Sequence, residues 1–589
     1  MRLESSEGSN SHPPSKLQVN TENKLIIVFR SSTIRIIFIF AIALMVRYIF
    51  LLQLRKDPFF DSPLFDAELY SNWARSIAGG NWLGDKVFFV SPLYAYFLAV
   101  LYKIFNAQLY WVIFSQFLLG AANCAIIYLI GRKLFGEAVG LISGLFGSFY
   151  GVFLFTEGQL LKNSLAYSLV ALSFLFFLVA RDREKTSPWF CLGITTGLSA
   201  LVIPNVLVFI PVLYGFIIFG ENGRKERVLR AGALSVGFLI MIFPVSLRNY
   251  SVGGDTVLIS SNGGINLFLG TDPNTDGGLL TSRLIQQAPE LEEQSSTSLA
   301  EQALQKRLRP SEVSRFWYSM AVKNMTRDLS ATLQLFIKKL YRFWNWRELT
   351  DNLDFYYFRE KYPLLGIPLM NFGAIAPLSI LGLWLSRREK EKMVPALVFI
   401  SVFTAASLPF PVFGRYRTPL VPVLIVFAAY GLCASYLMIS QKKWKDIGWG
   451  LVIFLLGAVV INSVDRTFNF SPMHRAMGEM YLKRGQPEKA LQEFTAAVKG
   501  DSYDFYSHNA LGQTYLETGR YEEAITSFKN AILLYPGFVD AHYSLGLAYA
   551  VTGNREGAFE ELEKVRALDA TGERSRMMEM LLLSMGKKR

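Results

Sequence analysis

Apolar runs of about twenty residues recur along the chain, at 34–54, 109–131, 137–156, 160–180, 188–203, 205–220 and 229–247, and again at 365–386, 393–412, 418–438 and 446–464. A helix rising 1.5 Å per residue needs about twenty such residues to cross a hydrocarbon core of roughly 30 Å. The pattern therefore predicts about eleven membrane-spanning helices. A further run at 92–105 is too short to cross and suits a helix lying in the membrane interface. Basic clusters separate the long runs at 132–133, 181–185, 224–230, 387–392 and 442–445, and such clusters stay on the cytoplasmic side. Residues 55–108 and 248–364 are then long external loops, and an odd number of spans leaves everything past 465 external as well. The polar first 30 residues, rich in Ser and Asn, read as a disordered cytoplasmic tail with no cleavage site after the first apolar run.

Past residue 470 the alternation changes. Gly478, Gly512 and Gly546 recur at the 34-residue period of tetratricopeptide repeats. Tyr481, Tyr515 and Tyr549 follow them, as do Ala490, Ala524 and Ala558, small residues that let paired helices approach. Phe494 and Phe528 fill the space between helices, and Pro536 stops the second unit. In the third unit Leu562 and Val565 stand in for the usual Phe and Ala, and a closing helix is expected near 571–585. The chain is thus read as all-α: a membrane module over 31–465 and a repeat solenoid over 470–589. Such solenoids bind protein or peptide partners, or serve as spacers or oligomerisation units.

Composition narrows the class. A hydrophobic share of 51%, only 18% charged residues and a mean hydropathy of +0.28 exclude an ordinary soluble enzyme. The net charge of +13 sits beside the apolar runs, where membrane topology places it, so no nucleic-acid partner is expected. Cys124, Cys191 and Cys433 all lie inside apolar runs, which argues against a disulfide framework or a thiolate metal site. His12, His474, His508 and His542 are remote from the loops, and no His/Asp/Glu cluster shows metal-ligand spacing.

The first external loop reads Phe59-Phe60-Asp61-Ser62-Pro63-Leu64-Phe65-Asp66-Ala67-Glu68-Leu69-Tyr70, with Ser91-Pro92-Leu93-Tyr94 further on. Asp66 and Glu68 sit among aromatics, where partial desolvation raises basicity, although loop acids are more often simply solvated. Glu157 is a possible second acid, or the partner of Lys162 or an arginine. Arg415, Arg417, Lys162 and Arg248 stand at external helix ends, where they would bind a phosphate or snorkel to headgroups. Arg47, inside the first span, carries no assigned role.

These motifs resemble membrane glycosyltransferases of the GT-C fold, in particular bacterial relatives of the family 39 dolichyl-phosphate-mannose protein mannosyltransferases. The likeness covers roughly 34–440 and also takes in Thr156-Glu157-Gly158-Gln159, Arg248-Asn249, Asn262-Gly263-Gly264-Ile265-Asn266, Trp344-Asn345-Trp346-Arg347-Glu348 and Gly414-Arg415-Tyr416-Arg417-Thr418-Pro419. The family's adjacent Asp-Glu is interrupted here by Ala67, which favours Asp66 over Glu68. The resemblance implies a polyprenyl-phosphate sugar as donor, no certain cofactor and no indicated divalent metal. It also implies inversion by single displacement onto an acceptor hydroxyl and residence in the inner membrane, with protein, lipid and glycan acceptors all open and the repeats external by the odd number of spans. The repeats are read as an appendage that recruits the acceptor or a protein partner. Rival readings are an O-antigen ligase or polymerase-like transferase, and a non-enzymatic scaffold or transporter; a transporter would show two similar halves and midplane charges.

Overall fold

The computed structural model describes residues 31–586 apart from 183–184, 221–222, 273–288, 351, 367–370, 464–468 and 570–571, so the expected N-terminal tail lies outside the described residues. Every regular element among them is helical. Each apolar run contains a helix, but the lengths differ from the hydropathy pattern. Ser32–Leu54, Leu109–Phe135, Asn163–Asp182, Arg224–Gly253, Gly414–Ser440 and Trp444–Ile461 are the six described helices long and apolar enough to cross a membrane. Glu137–Phe149 and Gly151–Glu157 make a seventh if counted together, bent by 52°. Ser187–Val202, Pro204–Ile218 and Phe372–Leu385 are shorter apolar helices, and Lys390–Ser407 opens with three charges. Among the described residues, helix length and composition do not confirm the count of about eleven. Local backbone breaks account for part of the difference: Pro204 ends one helix and starts the next, and Tyr150 leaves helical geometry at ψ 107°.

Close helix crossings hold the bundle. Gly193 and Gly237 lie where Ser187–Val202 meets Arg224–Gly253, and a Cβ on either would come within 2.3 Å of a backbone oxygen of the facing helix. Without a water-driven hydrophobic effect inside the bilayer, such small-residue approach supplies the packing energy.

The basic turns assemble at one end. Arg35 and Arg132 both pair with Glu137, Lys133 pairs with Asp182, and Arg181 Nη1 donates to the Glu391 carbonyl at 2.9 Å. From that end Ser32–Leu54 leads to the Asp66 loop, Asn163–Asp182 runs back to Lys162, and Lys390–Ser407 leads toward Arg415. The two ends of the bundle therefore carry different chemistry.

The repeats form three helical pairs, from Ser471–Lys483 with Pro487–Gly500 to Val539–Val551 with Arg555–Leu568, closed by Glu573–Gly586. Phe494 and Phe528 are fully buried against Gly478 and Gly512, and Leu562 and Val565 fill the third pair. The first repeat is not an appendage. Met473, Ala476, Met477 and Met480 are buried in the same apolar cluster as the membrane module, because this helix has a second apolar face besides the one its own partner covers.

Candidate active site

Asp66 is the first residue of the helix Asp66–Ala78, where unpaired backbone N–H groups and the helix dipole favour a negative charge. Phe65, just before it, holds φ at 55°, an unfavourable value for a non-glycine residue and one that recurs near functional sites. Asn352 grips Asp66 twice: its Oδ1 accepts from the Asp66 N–H at 3.2 Å, and its Nδ2 donates to Oδ2 at 3.3 Å. Arg415 Nη2 reaches the same Oδ2 at 2.7 Å. Burial opposes the carboxylate charge, but Arg415, then Asn352 and the nearby Lys162 ammonium, outweigh it and hold Asp66 below the usual carboxylate range.

Arg415 arrives on the 3₁₀ helix Gly414–Leu420. Gly414 N–H donates to the Leu349 carbonyl at 3.0 Å. Just upstream, the buried Lys339 ammonium donates to the carbonyls of Gly270, Leu408 (3.0 Å) and Phe410 (2.9 Å), fixing the approach to this segment. Beside Asp66 a largely apolar pocket of about 50 Å³ is walled by Phe50, Leu64, Ala67, Ile113, Leu160 and Asn352.

A second carboxyl lies within the electrostatic reach of Asp66. Glu292, on the helix Pro289–Leu304, is pushed up to about 7 by burial and by the Asp66 charge. Lys86 pairs with Glu293 at 2.5 Å and Trp317 Nε1 donates to the Ser296 carbonyl at 3.1 Å, which fixes the helix. Sequence reasoning missed Glu292. It stands in the run Glu290-Leu291-Glu292-Glu293, which reads as a solvated helix face.

The structure brings together Asp66, Arg415 and Lys162 from the expected set. The other four residues lie apart from this group, Glu157 in the alternative role of an arginine's partner. Glu68 is exposed, since residues two apart on an α-helix point about 200° apart. Glu157 is no free acid: it is fully buried in a two-point pair with Arg47 at 2.6 and 2.8 Å, and Tyr167 donates to it too. Arg417, only 2% exposed, is spent on the Phe343 carbonyl at 2.9 Å, the Asn345 carbonyl and Glu348 at 2.7 Å. Arg248 donates to the carbonyls of Leu83 at 2.6 Å and Lys86 at 2.8 Å and stacks over Phe88. Both arginines brace loops, which leaves Arg415 and Lys162 as the cations beside Asp66.

A bundle of long apolar helices thus gathers a carboxylate and two cations near one end. Residues 90–247 match the family model of the dolichyl-phosphate-mannose-protein mannosyltransferases, and residues 512–553 match that of the TPR repeat. The matched stretch 90–247 is thus similar to a family of membrane glycosyltransferases, and the stretch 512–553 to a tetratricopeptide repeat. The family match includes Lys162 but neither Asp66 nor Arg415, so their pairing is an observation of this structure alone. Among solved structures the chain is similar to the oligosaccharyltransferase AglB from Archaeoglobus fulgidus in complex with an inhibitory peptide and a dolichol-phosphate. The identity is 14% over 80% of this chain and 59% of that chain, with a TM-score of 0.44. The TPR2B domain of yeast Sti1 is 22% identical over 20% of this chain and 98% of its own, with a TM-score of 0.20. The Arabidopsis OM64 TPR domain is 19% identical over 19% of this chain and 94% of its own, with a TM-score of 0.19. No curated protein matches the chain.

Proposed function

We propose that the chain transfers a sugar from a polyprenyl-phosphate carrier to an acceptor hydroxyl at the external membrane face. The observation that carries this reading is the Asp66–Arg415 pair at 2.7 Å, with Lys162 close by, at the end of the bundle away from the basic turns. The acceptor oxygen attacks the anomeric carbon and its proton passes to the Asp66 carboxylate. The bond from the anomeric carbon to the phosphate oxygen breaks, and the lipid phosphate leaves with the bonding electrons. A single displacement of this kind inverts the anomeric centre. Arg415 and Lys162 hold the leaving phosphate, and fixed cations there cost no reorganisation as charge develops. In the free enzyme Arg415 also restrains Asp66; a phosphate that draws Arg415 away returns basicity to the carboxylate as the reaction begins.

The positive-inside rule supports placing the basic turns in the cytoplasm, and so the site and the repeats on the outer side of the cytoplasmic membrane. The solenoid then presents its groove to a protein partner or acceptor on that side. The test uses the purified chain in nanodiscs with a panel of polyprenyl-phosphate hexoses and a cell-envelope acceptor extract. Release of polyprenyl phosphate together with labelled acceptor is the expected result. Turnover of a nucleotide sugar, with no binding of any lipid carrier, would overturn the proposal.

A further inference from the structure

The first repeat touches both segments that meet at Asp66. Arg484, at the end of the helix Ser471–Lys483, donates from Nη2 to the Pro58 carbonyl at 2.6 Å. Pro58 begins the short stretch that ends at Asp66. On the other side, Met473 Sδ accepts from the Asp354 N–H at 3.2 Å, two residues past Asn352. Tyr357, on the helix Phe355–Lys361, packs edge-on against Phe470 and His474, with ring centroids 5.9 and 5.3 Å away. The two segments are also tied to each other. Asp57 is 3% exposed, pairs with Lys361 at 2.6 Å and accepts from Tyr362, while Phe59 lies against Phe358. The Asp66–Asn352 contact is therefore the meeting point of two strips of chain, and one repeat hairpin clamps both.

We propose that the first tetratricopeptide hairpin is a positioning element of the Asp66 site, with Arg484 setting the Pro58–Asp66 segment and the Met473 face setting the Asn352 segment. The inference rests on the reading of Asp66 as the base. Loss of the clamp leaves the donor cations in place but lets the base drift from the acceptor, and a displacement of about 1 Å costs up to ~100-fold in rate. The effect then falls on kcat rather than on donor KM. Arg484 is exposed, so its replacement leaves the core intact.

The experiment compares full-length Arg484→Ala, Arg484→Lys, Tyr357→Leu and Arg520→Ala in nanodiscs by donor KM, kcat and melting temperature. Arg520 belongs to the second repeat, where it pairs with Glu523 at 2.9 Å, and serves as the control. Expected is a loss of kcat of about 10- to 100-fold in Arg484→Ala and Tyr357→Leu. Donor KM should stay within about twofold, melting should be unchanged in Arg484→Ala, Arg484→Lys should recover most of the rate, and Arg520→Ala should match wild type. Wild-type kcat in both Arg484→Ala and Tyr357→Leu overturns the inference, as does an equal loss in Arg520→Ala or a loss that merely follows a lower melting temperature. Asp66→Asn is assayed alongside. If it is active, the reading of the base fails; if it is inactive while Arg484→Ala is normal, only the clamp fails.

Discussion

Replacing Asp66 with asparagine keeps the side-chain volume and a hydrogen-bonding oxygen but removes the acceptor for the proton, and it removes the charge that Arg415 neutralises. Loss of a general base lowers the rate by about 10²–10⁴, which is about 2.7–5.4 kcal/mol in the barrier at 1.36 kcal/mol per decade. The effect on donor binding has the opposite sign. A charge-assisted hydrogen bond is worth about 1.5–3 kcal/mol when buried, but the Asp66 and Arg415 side chains are 26% and 12% exposed, so solvent reduces the figure to about 1 kcal/mol. Freed from that partner, Arg415 is available to the lipid phosphate, and donor affinity should hold or rise by up to about fivefold. The assay pairs single-turnover transfer with equilibrium binding of a polyprenyl-phosphate sugar in nanodiscs. Activity within fivefold of wild type, or a tenfold loss of donor affinity, would refute the assignment of Asp66 as base and Arg415 as phosphate ligand.

Glu292, pushed up to about 7 by burial and the Asp66 charge, binds its proton more tightly when folded, so its contribution to stability is complete below the ordinary carboxylate range, about pH 4.5, and is lost as pH rises through 7. Glu292→Gln should therefore melt higher than wild type at pH 8, by less at pH 6, and no higher at pH 4; an advantage that does not change with pH would exclude the raised titration of Glu292. Arg47→Met and Glu157→Gln should each strongly destabilise the fold, by about 3–5 kcal/mol, because each leaves a buried partner unpaired, whereas the double replacement Arg47→Met/Glu157→Met should melt well above either. Additive losses in the double variant would show that the pair is not coupled. For topology, Glu68→Cys and Arg520→Cys should react with an impermeant maleimide on intact cells while Lys185→Cys is protected; labelling of Lys185→Cys alone would invert the orientation.

Some of the site was legible. Asp66 stood out through the resemblance of its aromatic-rich loop to that of a known family, and Ala67, which interrupts the family's adjacent Asp-Glu, set it apart from Glu68; the loop alone did not, because a loop carboxylate is more often solvated. The partners of the other charges were not legible. Arg415 and Arg417 stand two residues apart and look equivalent in sequence. On a 3₁₀ helix of three residues per turn they point about 240° apart, so one meets Asp66 and the other is enclosed by Phe343, Asn345 and Glu348. Glu157 finds Arg47 across 110 positions, and Asn352 finds Asp66 across 286.

By itself the sequence determined the features that repeat within one element: the apolar runs, the basic turns between them and the 34-residue period of the solenoid, each set by helix geometry and the cost of placing charge in hydrocarbon. Tertiary structure alone decided which charges are spent on the scaffold and which remain at the site, and that the Met473–Met480 face packs on the membrane module. The reason is physical. A periodic apolar face records only that a surface is buried, and an isolated charge only that it needs a partner; the identity of the covering surface or partner depends on chain segments hundreds of residues away.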